Sequence, residues 1–449
     1  MDASLELVAM ERKALPSLRS STSWTLAASV VYAAAQWAMI SAVAKLTSAA
    51  TVGQFALGLS IAAPVFMLTN MQLRGVQVTD ALSEHTFADY FTLRCLSTIV
   101  GALLILAIVI LARYDLTTAS VILLVAVAKA VEQLSDVVAG WLQKCERLDL
   151  AARAQMLRGA GSAIVFTLVL VATHSLVAAL YGVAAVCVLV LLFCDRRFAR
   201  RLHGGSFLNS TGRGLKSLVG VTLPLGLVTA LAALNVNVPR YVVQYYLGPA
   251  QLGIFVSLAY VLVATVNVIV NAMGQSASAR LAQMFAAGDL AGFNAVLRNL
   301  VLFGAAITML GTPAALVCGR PLLTLIYRPD YAQYSSLLAI MVAVAGISAI
   351  GLVLGFGVTA TRRFRSQMPV IGAAALAAFA VAALTVPGHG LFGAAFALLA
   401  SATVSIIGNG AILLEAERRM RTLCDVVPCG SSMQASREAA LAVAIAERD

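Results

Sequence analysis

Apolar runs without a Lys, Arg, Asp or Glu, each long enough to cross a lipid bilayer, recur along this chain and leave it few alternatives to a membrane-embedded helical fold. One runs from Cys95 to Ala112. A hydrocarbon core about 30 Å thick takes roughly 20 residues of helix, and every backbone polar group inside it has to be paired internally. Charged residues make up 11% of the 449, against about a quarter in soluble domains, and the mean hydropathy is +0.92. A soluble globule is excluded.

Twelve helices are predicted, over 22–44, 52–72, 92–112, 118–142, 153–173, 175–194, 215–238, 251–275, 294–317, 333–359, 366–386 and 390–414. Double runs divide at the turn residues Gly248-Pro249 and Pro387-Gly388-His389-Gly390, and near His174. The basic residues test the count, because inner loops of membrane proteins are enriched in Lys and Arg. With an inner N terminus, only Lys45, Arg113, Arg240, Arg320 and Arg328 fall outside, and Lys129 lies within a helix. Both termini are therefore expected to be cytoplasmic. The net charge of +11 expresses this bias; it favours contact with anionic lipid headgroups and gives no reason to expect nucleic acid. Residues 1–21 contain Glu6 and Glu11 and no small-residue cleavage site, so the first helix is expected to be retained. The seven cysteines fall in or directly beside predicted helices or on the inner side, which speaks against a disulfide framework. Cys424 and Cys429 have no further ligands at metal-binding spacing, and no metal is expected.

An internal repeat organises the helices. LTSAATVGQF at Leu46 to Phe55 parallels LGPAQLGIF at Leu247 to Phe255, Gly53 and Gly253 stand 200 residues apart, and Asn70 and Asn271 follow at nearly the same offset. Both copies follow an odd-numbered helix, so the halves share one orientation and form parallel six-helix repeats. The expected organisation is a cytoplasmic segment 1–21, an N-lobe 22–200, a linker 201–214, a C-lobe 215–415 and a cytoplasmic tail 416–449.

Within the fourth predicted helix the run KAVEQLSDVVAGWLQKCERLDL, Lys129 to Leu150, breaks the apolar pattern. Lys129, Glu132 and Asp136 share one face about 60° wide. An ionised group at mid-bilayer costs at least about 2.5 to 3.5 kcal/mol on insertion scales, so this face lines a watery interior or pairs internally. Glu132 and Asp136 are candidates to take up a coupling cation; the alternative is local pairing with Lys129. Gln143 lies on the same face. Polar residues at helical spacing mark two further stripes: Thr25, Ser29, Tyr32 and Gln36 on the first helix, and Tyr260, Asn267, Asn271 and Gln275 on the eighth. They read as cavity lining or as interhelical hydrogen bonding. Pro64, Pro224 and Pro239 are candidate hinges, since each removes a helical donor.

Several segments carry a resemblance that runs over nearly the whole chain. They are TNMQLRGVQVTD at Thr69 to Asp80, the Lys129 run continuing into AARAQMLRG, NVPRYVVQYYLGPAQLGIF at Asn237 to Phe255, LIYRPDYA at Leu325 to Ala332, TATRRFRSQ at Thr359 to Gln367 and GLFGAAFA at Gly390 to Ala397. In order and spacing they resemble the Wzx-type polysaccharide-transporter flippases of the multidrug/oligosaccharidyl-lipid/polysaccharide (MOP) superfamily. The resemblance implies an all-α polytopic membrane protein of twelve helices in two MATE/MurJ-like six-helix lobes, lodged in the bacterial inner membrane. It also implies a cationic cavity and transfer of an undecaprenyl-pyrophosphate-linked glycan to the outer leaflet for O-antigen, capsule or exopolysaccharide synthesis. Under it, Lys129, Arg240 and Arg74 are the candidates for the pyrophosphate, with Gln143 and Asn271 for the rest of the substrate. H+ or Na+ is the expected coupling ion, membrane lipids and the polymerase and chain-length proteins of the pathway are expected partners, and no cofactor is expected.

Two rival functions have sequence consequences. A glycan polymerase or glycosyltransferase needs carboxylates at a substrate site outside the core, and the outer loops offer only Asp115 and Asp330. No Walker loop, nucleophile elbow or His/Cys/Asp cluster occurs in the sequence. A MATE-type multidrug or cation antiporter shares the expected fold but would keep acidic groups unpaired in its cavity.

Overall fold

The computed structural model describes residues 18–80, 85–203, 214–262, 268–361 and 363–426, and no strand occurs among them. The chain forms two compact units, Met1–Ala233 and Leu234–Asp449. The first contains α1 (Leu18–Leu46), α2 (Ala49–Asn70), the short α3 (Leu73–Thr79), α4 (Phe87–Ala112), α5 (Leu116–Lys144), α6 (Leu148–Thr173), α7 (Leu176–Val190) and α8 (Arg196–His203). A π-helical turn at Leu191–Asp195 joins α7 to α8. The long α9 (Leu215–Leu262) runs from the first unit into the second. The second continues with α10 (Val268–Ala286), α11 (Leu290–Ala306), α12 (Thr312–Ile326), α13 (Ser335–Ala360), α14 (Phe364–His389) and α15 (Leu391–Val426).

Ten of the described helical segments are long and apolar enough to cross a membrane. The polar α5, at 29 residues, is also long enough to cross, and α9 divides as expected at Gly248, where φ is 81° and ψ −179°; the predicted eighth helix beyond it lies partly outside the described residues. Such dihedrals are essentially restricted to glycine, which is why a Gly-Pro pair could mark this turn. The other two predicted divisions also hold. Residue His174 ends α6 in the left-handed conformation and Ser175 caps α7, while Gly390 with φ 59° separates α14 from α15.

Helix starts follow local capping chemistry. The Ser48 hydroxyl accepts from the Thr51 amide at 3.2 Å, and Thr86 and Asp89 form a reciprocal capping box at the start of α4. Asp115 accepts from the Thr118 amide at 3.0 Å. Hydrogen bonds from Thr118 hold the Asp115 carboxyl below its usual range. The caps carry α4 back to Phe87, five residues before the predicted start at 92. The described far part of the predicted eighth helix, 251–275, belongs to α10, which ends at Ala286. Apolar runs locate the bilayer, whereas hydrogen-bonded turns continue into the polar region until a cap or a glycine such as Gly288 (φ 75°) stops them.

The second predicted helix ends earlier than expected. It stops at Asn70, because Met71 and Gln72 are both left-handed, with φ of 51° and 52°. Arg74, two residues past the predicted end at 72, sits on the separate α3.

Polarity is inverted relative to a soluble protein. On α4, Leu96, Leu103, Ile110 and Leu111 are exposed while Arg94 is fully buried, a pattern that needs hydrocarbon outside. Small residues let the helices of the first unit close: a Cβ on Gly159 of α6 would lie 3.2 Å from Tyr32 Cα of α1, and one on Gly58 of α2 would lie 3.2 Å from Val125 Cγ2 of α5. In the second unit, a Cβ on Gly346 of α13 would lie 2.8 Å from the Gly304 carbonyl oxygen of α11. There Phe285, Phe293, Leu297, Val353 and Leu413 form a core shared by α10, α11, α13 and α15.

Candidate functional site

Helix α5 is apolar at its start and polar over its second half, and its polar half is met by α1, α2, α3 and α4. Two clusters result. Nearer the middle of the helix, Lys129 Nζ donates to Glu132 Oε2 at 2.8 Å and to Tyr32 Oη at 3.1 Å. The Tyr32 hydroxyl in turn donates to the carboxylate, 3.1 and 3.0 Å from its two oxygens. The tyrosine thus ties α1 to the ion pair, and the ammonium also stands 5.8 Å from the centre of its ring.

Two turns further on, Asp136 faces two arginines. Arg94 Nη2 on α4 lies 3.2 Å from Oδ2 and Arg74 Nη1 on α3 lies 3.5 Å from Oδ1. Arg94 Nη1 also donates to Gln133 Oε1 at 2.8 Å and to the carbonyl oxygen of Asn70 at 3.1 Å. Asn70 is the last residue of α2, so the guanidinium caps the negative end of that helix where the chain breaks. The Asn70 amide donates to Gln133 Oε1 at 2.7 Å and to Asp136 Oδ2 at 3.3 Å. Arg74 completes the group by donating from Nε and Nη2 to Gln143 Oε1 at 3.1 and 2.9 Å. Beside it Gln77 is buried, and neither of its amide atoms has a partner among the described residues. A Cβ on Gly140 would clash with Gln77 Oε1, so the glycine makes room for this amide.

Formal charge decides what such a site attracts. Lys129 cancels Glu132, whereas Arg74 and Arg94 together exceed Asp136 by one positive charge. Of the two, Arg74 is the accessible one, with its side chain 34% exposed while that of Arg94 is 0% exposed.

The sequence-predicted residues distribute as follows. Lys129, Glu132 and Tyr32 form one cluster, and Asp136, Arg74 and Gln143 belong to the other. The sequence offered Lys129 as the local partner of both acids. Instead Asp136 takes the two arginines, and Asp80 takes Lys144 at 3.9 Å. On α1, Ser29 is exposed and donates to its own helix at the Thr25 carbonyl, and Gln36 is half-buried. In the second unit Arg240 Nη1 donates to Asn237 Oδ1 at 3.0 Å, and Tyr260 is half-buried. Asn267 lies outside the described residues, as do the side chains of Asn271 and Gln275. Pro64 is buried in α2; Pro239 is buried and Pro224 exposed in α9, whose backbone departs from helical dihedrals at Gly248.

Sequence reasoning missed Arg94 and Gln133, and used Asn70 only as a marker of the repeat. Arg94 falls at the edge of a predicted helix, where a long cation usually reaches the headgroups. The available signal was Gln133, three residues before Asp136 and therefore beside it on the helix.

No family model matches the chain. The Lipid II flippase MurJ in an inward closed conformation aligns with a TM-score of 0.66 at 12% identity, over 94% of this chain and 97% of that one. An inward-facing multidrug resistance MATE family transporter of the MOP superfamily gives 0.65 at 12% identity, over 89% of this chain and 96% of that one. The chain thus shares the fold of these two solved proteins. A Capsular polysaccharide biosynthesis protein, CapF, from Staphylococcus aureus is 25% identical over 382 residues, 85% of this chain and 95% of that protein.

Proposed function

We propose that this protein is a flippase that moves an undecaprenyl-pyrophosphate-linked oligosaccharide from the cytoplasmic to the periplasmic leaflet. The glycan would serve O-antigen, capsule or exopolysaccharide synthesis. The observation that carries this reading is that two arginines, Arg74 and Arg94, face the single acid Asp136, while Glu132 is balanced by Lys129. A MOP-type fold and a relative named for capsule biosynthesis support the substrate class. A lipid-linked glycan has an apolar tail that need not leave the bilayer and an anionic head that cannot cross it unaided. Arg74 meets the pyrophosphate, and Gln143, now the acceptor of its Nε and Nη2, is the neighbouring amide for phosphate or sugar hydroxyls. Arg240 and Asn271 are the corresponding candidates in the C-lobe. A MATE-type cation antiporter would want a negative surplus, which the α5 clusters do not offer.

Transport proceeds by alternating access of an N-lobe, 22–200, and a C-lobe, 215–415, joined by the linker 201–214. Glu132, bonded to Lys129 and Tyr32, is the candidate to exchange its internal cation for H+ or Na+ during the cycle. The protein lies in the bacterial inner membrane with both termini cytoplasmic. Reporters fused after Arg201 and Arg421 should therefore read cytoplasmic and one inserted at Gly248-Pro249 periplasmic; a cytoplasmic reading at Gly248 overturns this topology.

Deleting the gene and measuring the leaflet distribution of lipid-linked glycans in inner-membrane vesicles tests the function. The expected result is accumulation on the cytoplasmic leaflet. Unchanged glycan distribution with altered resistance to cationic compounds would transfer the protein to the antiporters.

A further inference from the structure

We infer that Arg94, which is fully buried, sets the sign of the charge offered by the α5 site and thereby its preference for anions. This rests on the reading of Arg74 as the anion-binding group. Asp136 lies between the two guanidinium groups, at 3.2 Å from Arg94 and 3.5 Å from Arg74. If Arg94 were absent, Arg74 would be the sole cation facing Asp136, and the pair would be neutral. With Arg94 present, Asp136 has a shorter contact to a fully buried partner, and the more exposed arginine keeps its charge for a ligand.

The built surroundings of Arg94 point the same way. Its terminal nitrogens are fixed by Gln133 Oε1, the Asn70 carbonyl and Asp136 Oδ2. A buried guanidinium held by three acceptors on two other helices stays charged and cannot follow a ligand, so it acts as a fixed counter-charge. Arg94 is a positioning residue: it acts on the substrate through Asp136 and Arg74.

Charge and geometry separate in a set of variants. Arg94→Lys keeps the cation but loses the fork. Arg94→Gln loses the cation, and Arg94→Gln/Asp136→Asn removes the buried pair as a whole, leaving Arg74 uncompensated again. Each variant is purified in detergent, and binding of undecaprenyl pyrophosphate is titrated per folded molecule. Arg94→Gln should bind on the order of tenfold more weakly than wild type, since its ligand competes with Asp136 for Arg74. Arg94→Lys and the double variant should recover to within about threefold of wild type, a residue of the lost hydrogen bonds. Wild-type affinity in Arg94→Gln overturns the inference. So does a double variant as weak as Arg94→Gln, because the defect would then be one of packing and not of charge. Arg74→Gln is the control: if it binds like wild type, the reading of Arg74 fails, whatever Arg94 does.

Discussion

Arg74→Gln lowers glycan export per folded molecule by about 10- to 100-fold while leaving the amount of protein in the membrane close to wild type. The factor follows from a hydrogen bond to a charged group, which contributes about 1.5 to 3 kcal/mol when it cannot be replaced by a neutral one. Stability should be nearly unaffected for a separate reason. The Arg74 side chain is 34% exposed, and Asp136 retains Arg94 and Asn70 when Arg74 is gone. A glutamine can still meet the Gln143 amide, but it cannot give a phosphate two parallel charged donors. Arg74→Lys should fall between the two, since a point charge keeps attraction without the fork. The measurement is export in vesicles, normalised to protein that elutes as a monodisperse peak. Full export by Arg74→Gln, or loss only in proportion to lost protein, would remove Arg74 from the transport path.

The sequence made the crossing helices legible because lipid imposes a simple rule on them: about 20 residues without charge, separated by residues that turn the chain. Gly248-Pro249 and the Pro387 to Gly390 stretch could be read because only glycine tolerates the backbone those turns adopt. The break after Asn70 could not be read in the same way. Its left-handed residues are Met71 and Gln72, types that carry no turn signal, and the fold around them holds the geometry. Helix ends beyond the bilayer were likewise hidden, as in the extension of α10 to Ala286, because hydropathy locates the membrane and not the last hydrogen bond. The charged face of α5 stood out because a charge in an apolar run is costly. Its partners did not: pairing of Asp136 with Arg94 is a contact between residues 42 apart in the chain, and helical spacing is informative only within one helix. That is why the nearest cation in sequence, Lys129, looked like the natural partner for both acids.

The same contacts predict an unequal response at the other cluster. Lys129→Gln and Glu132→Gln should each reduce folded protein, and Lys129→Gln/Glu132→Gln should restore most of it. Removing one member of a buried ion pair costs about 3 to 5 kcal/mol, chiefly because the other charge is left without a partner. Here the side chains are 27% and 21% exposed, so water screens part of the loss and a cost of about 2 kcal/mol is the better expectation. Replacing both removes the unpaired charge, and Tyr32 can bond either amide in place of the ions it meets at 3.0 to 3.1 Å. Thermal unfolding in detergent reads the stability, and export per folded molecule reads the function. If Glu132 exchanges its internal cation during transport, the double variant should be folded yet lose export and its dependence on the proton or sodium gradient. A folded double variant with normal, gradient-dependent export would leave this cluster a tie between α1 and α5 and nothing more. Single variants as stable as wild type would instead mean that water already compensates both charges, returning Lys129 to the candidates for the anionic head.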